Sequence, residues 1–186
     1  MGLLGHLWPN RICRRIAEWK RRRLHRRIEL SLASCGKFFV LSDPSAIVLW
    51  SPENIGVGDN VAINAYVYIN AMGGVKIGDD TRIGPFVTLS SGDHRYDDLS
   101  VPICKQGWIK ERIEIGCDVW IGAHAIILRG AKIPDHCVIG AGTRVDRRLT
   151  LKPYDIVIGS PAEVVGNRLV SRVQQRGKNS HETKNY

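Results

Sequence analysis

The chain has 186 residues, with 27 Lys and Arg against 18 Asp and Glu, a formal charge of +9. At 44% hydrophobic and 24% charged it can bury a core without staples, which excludes wholesale disorder, and no apolar run approaches the roughly 18 residues of a membrane span. Five scattered cysteines (Cys13, Cys35, Cys104, Cys117, Cys137) with no CxxC suit a reducing compartment and offer no structural zinc motif.

Residues 1–8 are apolar but too short for a signal-peptide core, and they lead into arginines rather than a small-residue cleavage site. Gly2 is followed by His6 where a myristoylation signal wants Ser or Thr, so the chain reads as unsecreted, cytoplasmic and without a lipid anchor. Residues 11–27 then hold nine basic side chains and one acid, Glu18, a local +8. Residues 168–186 add +4, which leaves −3 for residues 28–167. The positive charge belongs to the two ends, and the mildly acidic body argues against nucleic acid as a partner. Among the arginines, Ile12, Ile16, Trp19, Leu24 and Ile28 recur near helical spacing, giving a basic amphipathic helix within a segment running to residue 44. Such a helix can lie on an anionic membrane surface at the inner face of the cytoplasmic membrane. It can equally pack its stripe on the end of the fold with the arginines in water, and the sequence leaves both open.

From Ile55 the chain divides into sixes: IGVGDN, VAINAY, VYINAM, then after Gly73 and Gly74 VKIGDD, TRIGPF, VTLSSG. The frame resumes at Ile113 with IEIGCD, VWIGAH, AIILRG, AKIPDH, CVIGAG, TRVDRR. Every third place is aliphatic, from Val57 through Ile63, Ile83 and Ile121 to Val145. The fourth place is usually Gly or Asn, residues that accept positive φ cheaply. A short strand and a sharp corner every six residues wind into a prism with one inward aliphatic side chain per corner. Three faces close a coil of about eighteen residues, so twelve blocks make about four coils of a parallel β-helix. We assign this all-β domain to residues 45–160.

Residues 93–112 interrupt the frame with a charged stretch carrying Pro102 and Gly107, expected to loop out of the wall. His94 sits where the coil opens into this loop, and a neutral imidazole there can take a proton from a hydroxyl attacking a thioester. Asp97 and Asp98 follow within reach and either could fix the ring tautomer. The alternative is a solvated loop histidine. Beyond Leu149 the pattern decays, and residues 161–186 read as a short helix and a tail frayed from about Gly177.

VTLSSGDH, the loop, IEIGCDVWIGAHAIIL and CVIGAGTRV together resemble the hexapeptide-repeat acyltransferases, in particular the galactoside and maltose O-acetyltransferases. The DHRYDD…PI…QGW loop is similar to acetyltransferases that modify surface polysaccharides, including lipopolysaccharide. The resemblance covers residues 55 to about 166. It implies left-handed coils, acetyl-CoA as acyl donor, no metal, a sugar or glycan acceptor, and a homotrimer with active sites at subunit interfaces. It makes His94 the catalytic base and Asn64 a holder of acceptor and transition state, although Asn64 also fills the turn place of its block. It lays acetyl-CoA beside Trp120 and along Ala123 and Ala141, with Arg147 and neighbouring Arg148 on the phosphates. Asp93, Arg95 and Tyr96 flank the base and would shape the acceptor site. Two places depart from the pattern. Glu163 stands where an arginine is expected, leaving phosphate to Arg168 or Lys152, and Met72 replaces an acidic acceptor contact.

Rival readings remain. Cys104 would allow a route through an acetyl-thiol, against direct transfer. The same fold serves amino-sugar and xenobiotic acetyltransferases, and non-catalytic solenoids. The γ-class carbonic anhydrases on this prism need a His pair spaced by five, whereas His124 is followed at that distance by Arg129 and His136 lies twelve residues on.

Overall fold

The computed structural model describes residues 11–170, so the apolar start and the tail beyond residue 170 lie outside the described residues. The described chain is a helix, α1 (Arg11–Ser31), followed by a parallel β-solenoid with three faces. Face A stacks Ser34–Cys35, Ile55–Val57, Val75–Ile77, Ile113–Ile115 and Lys132–Ile133. Face B stacks six parallel strands from Val40–Leu41 to Asp155–Ile158, and face C five from Val48–Trp50 to Arg144–Val145. The third place of each block forms a ladder in strict register, for example Leu41, Ile63, Ile83, Ile121, Ile139 and Val157 on face B. The first place forms a second buried ladder, including Val61, Val67, Val87, Val119 and Ala125, all nearly without solvent contact. Branched aliphatic side chains fill the pleat from one side and leave the alternate positions to solvent.

Five complete coils and one strand of a sixth replace the four expected. At the N-terminal end, the first coil (34–50) places Cys35 opposite Val57 and inserts a 3-10 turn, Pro44–Ala46, at a corner. An exposed cysteine in the aliphatic place and a lengthened corner hide the period, so the division at residue 44 falls inside this coil. At the other end the frame runs on through buried Leu151 and Val157. Glu163–Asn167 is not the expected helix but a strand that folds back antiparallel on Asp155–Ile158, and beyond residue 160 only 168–170 are helical among the described residues. Val164 and Val165 favour a strand there, and the open edge of face B supplies unpaired N–H and C=O groups for it.

Fourth-place glycine serves close stacking of the coils and not the positive φ expected of it. Positive φ falls on the sixth place, at Asn60, Tyr66, Asp80, Phe86, Asp118, His124, His136 and Gly142, whereas the fourth-place glycines are not among the residues of positive φ. Fourth-place glycine is needed because successive coils nearly touch: a Cβ on Gly122 would lie 2.6 Å from the backbone nitrogen of Ala141.

The helix caps the N-terminal end of the prism. Leu24 and Ile28 are half-buried, the His25 ring tilts over Phe39 at 5.6 Å, and the backbone N–H of Leu41 donates to His25 Nε2 at 3.3 Å. The Arg21 guanidinium donates to the carbonyl of Ser42. The C-terminal half of the amphipathic stripe therefore packs on the coil end, while Ile16 and Trp19 stay exposed.

Candidate active site

The interruption at 93–112 is built as an antiparallel hairpin, Gly92–His94 with Trp108–Lys110, pairing His94 opposite Trp108. It leaves the prism at the corner between faces C and A. The two rings are 3.7 Å apart between centroids, tilted by 33°, so the indole supports the exposed imidazole from one side. Gly107 takes φ +84° beyond the last pair and its carbonyl accepts from the N–H of Arg95, which tightens the hairpin where it opens out. Gln106 then sews the distal loop, donating from Nε2 to the carbonyls of Asp98 and Val101 and accepting from the N–H of Asp98.

Asp93 points into a charged knot. Arg129, 17% exposed, donates to Asp93 Oδ2 and Glu111 Oε1, each at 2.7 Å, and Arg147 reaches the same Glu111 oxygen at 2.7 Å. Asp93 and Glu111 stand at the entry and exit of the hairpin, so Arg129 ties its two ends to the next coil. Asp93 is thereby an anchor, and Arg147 is occupied by a carboxylate. Asp98 is likewise committed: Ser100 donates to it from Oγ and N–H, which holds its carboxyl below the ordinary value. Arg95 and Tyr96 are exposed past the strand, and Cys104 lies exposed in the 3-10 turn Ile103–Lys105.

Asn64 sits at a different corner, between faces B and C. Its Nδ2 donates to the carbonyl of Ile83 in the coil above, at 3.0 Å, so one amide hydrogen does the structural work of a corner and a second remains. Stacked above it are Gly84, Gly122 and Gly140, followed along the chain by Pro85, Ala123 and Ala141. The result is a strip of small residues ending at Gly142, whose φ is +69° and where an added Cβ would meet nothing within 4 Å. Trp120, 58% exposed, stands on face B just before this strip. Tyr66, Phe86 and His124 stack along the same edge with 4.8 Å between neighbouring ring centroids.

The strip is open at Ala141 and Gly142 and is bordered by an exposed indole. Basic groups are less free than the sequence suggests. Arg148 is held by Asp146 through its backbone N–H and guanidinium, and these bonds pull the Asp146 carboxyl down to about 2. Arg168 donates to Asp118 Oδ2 and to the carbonyl of His136, while His136 Nδ1 meets the same carboxylate at 3.0 Å. The His136 bond, then Arg168, holds the Asp118 carboxyl below its ordinary value. Lys152 is exposed at that corner, and Glu163 lies in the returning strand. Met72 lines a groove of about 650 Å³ on face A with Arg112 and Lys76. A smaller cavity of about 320 Å³ lies between Arg144, Arg148, Pro161 and Ala162, two residues past Gly142.

Sequence reasoning missed Trp108, Arg129 and Arg144. The first two gain meaning only from the hairpin pairing and from partners 18 and 36 residues away. Arg144 had a usable signal, a cation just beyond the small-residue corner. Of the expected residues, His94 and Asp93 share the hairpin but face different partners, Asn64 shares one corner with Ala123 and Ala141, and these two groups lie on opposite edges of face C. Among the described residues no three His, Cys, Asp or Glu side chains converge on a metal-sized site, and His124 and His136 are engaged with Phe86 and Asp118.

Comparison with known proteins shows the family and the fold. Residues 112–147 match the family described as bacterial transferase hexapeptide (six repeats). Nodulation protein L of Rhizobium meliloti is 39% identical over 66% of this chain and 68% of its own length. Galactoside O-acetyltransferase of Escherichia coli is 36% identical over 61% of this chain and 54% of its own. The chain thus spans about half the length of some curated relatives. A solved galactoside acetyltransferase in complex with coenzyme A superposes with a TM-score of 0.64 at 29% identity, covering 88% of this chain and 74% of that one.

Proposed function

The chain belongs to the bacterial hexapeptide-repeat transferase family, and from that premise we propose that it transfers acetyl from acetyl-CoA to a sugar hydroxyl, with His94 as general base. The observation that carries this reading is the exposed imidazole held against Trp108 on an anchored hairpin. In the step we propose, neutral His94 removes the acceptor proton as the oxygen attacks the thioester carbonyl. The resulting imidazolium returns that proton to the coenzyme A thiolate when the C–S bond breaks. The second Nδ2 hydrogen of Asn64 is the donor we assign to the oxyanion, worth about 3 kcal/mol when well placed. Direct transfer needs no acyl-enzyme, and we give Cys104 no part in it.

The donor would lie along Ala123 and Ala141 beside Trp120, with its phosphates on Arg144 and Arg148 and with Arg147 able to join by exchanging Glu111. Because the hairpin and the strip border face C from opposite edges, we infer a homotrimer in which one copy's hairpin reaches its neighbour's strip. The exposed Tyr66 and Phe86 stack supports that contact. The acceptor we favour is a glycan precursor of a surface polysaccharide or lipopolysaccharide, approached through Arg95 and Tyr96. The donor is an intracellular metabolite, so we assign the reaction to the cytoplasm.

The test is thiol release from acetyl-CoA across sugars, nucleotide sugars and lipid-linked glycans. His94→Ala should abolish release while leaving the melting temperature and elution volume unchanged. Unaltered turnover would remove His94 from the mechanism, and Asn64→Ala at wild-type rate would return that residue to a corner.

A further inference from the structure

Helix α1 carries two apolar stripes, not one. Successive residues advance about 100° around a helix, which puts Ile16, Trp19, Arg23 and Leu30 within one narrow sector. Leu24 and Ile28 lie off this sector and are half-buried, and Ile28 packs on the prism core. Ile16, Trp19 and Leu30 are 48%, 57% and 70% exposed, so the second stripe faces away from the protein that carries it. Its neighbours are one-signed. Arg15, Lys20, Arg23 and Arg27 flank it, all exposed, and the Arg23 guanidinium sits 5.3 Å from the centre of the Trp19 ring. Both acids of the helix, Glu18 and Glu29, project toward the solenoid side, where they border a groove with Arg21, His25 and Phe39.

We propose that this outward face docks α1 flat on an anionic lipid bilayer. Charge complementarity selects the occupant. An apolar stripe containing Trp, rimmed by long cationic side chains and free of carboxylates, matches the boundary between acyl chains and anionic headgroups. A second protein copy presenting the same face would set arginine against arginine. A nucleic acid would leave Ile16, Trp19 and Leu30 without a partner. The opposite face is already committed to Phe39 and Leu41, so the helix lies between membrane and solenoid with the prism standing away from the lipid. This inference is independent of the reaction catalysed and of His94.

The experiment uses the full chain in flotation with vesicles of phosphatidylcholine alone and of phosphatidylcholine with phosphatidylglycerol. Binding to the anionic vesicles only is expected, weakening as salt rises. Each change of Arg15, Arg23 or Arg27 to Gln should loosen binding by about fivefold, and Ile16→Ser with Trp19→Ser by at least about tenfold. These side chains are exposed, so the melting temperature should not move. Equal flotation with both vesicle types, or binding unaffected by the Ile16 and Trp19 changes, would overturn the proposal. So would tighter binding to duplex DNA than to anionic vesicles, or association of purified protein through α1 that the same changes abolish.

Discussion

Asp93 and His94 are adjacent, yet consecutive strand residues face opposite ways, and the two serve different ends. Asp93 turns to Arg129 and fixes the hairpin; His94 turns to Trp108 and to solvent. Replacing Arg129 with Ala frees both hairpin ends while Glu111 keeps Arg147. We expect kcat to fall by about tenfold to a hundredfold, since in the proposed mechanism a small displacement of His94 is costly. The KM for acetyl-CoA should hold, and stability should drop by about 1–2 kcal/mol in urea titration. Arg129→Lys should recover part of the rate, and a rate equal to wild type in Arg129→Ala would show that the hairpin needs no clamp. His94 was legible as a candidate in the sequence because it sits where a strict frame breaks. Arg129 was not, because it occupies an ordinary block position and its meaning comes from carboxylates brought alongside by coil stacking.

At the level of the corner and the strand, the period of six was readable wherever the third place is aliphatic, from Val57 to Val145. It faded at Cys35 and at the Pro44–Ala46 turn, where one coil departs from the spacing while keeping its hydrogen bonds to the next. The role of glycine was misread for a related reason: tight stacking, not positive φ, excludes a Cβ at Gly122. Corners also store charge. Asp146 closes the last C-to-A corner by accepting from Arg148, and its carboxyl is lowered from 3.8 to about 2. A carboxyl lowered on folding stabilises the fold fully above its unfolded value and loses that contribution as pH falls through the folded one. Asp146→Asn should therefore melt lower than wild type at pH 7, and the gap should close between about pH 4 and pH 2. A gap independent of pH in calorimetry would assign the effect to packing instead.

For the molecule as a whole, the sheet faces differ in what they offer a neighbour. Face A presents Lys76, Glu114 and Lys132, whereas the edge between B and C presents Tyr66 and Phe86. Phe86→Asp places at a sixth position a residue already used at Asp80 and Asp118, so the coil should survive. Light scattering should then show wild type near about 62 kDa, three times 20.8 kDa, and the variant near one chain. A trimer that withstands the change would move the contact to another face. A stack of identical rungs has no natural length: each end shows the backbone groups that would accept one more coil. Here the returning strand Glu163–Asn167 runs against the grain of face B at one end, and α1 lies across the other. Among the described residues, each end of face B is thus covered by an element that is not another rung, which opposes head-to-tail growth along that face.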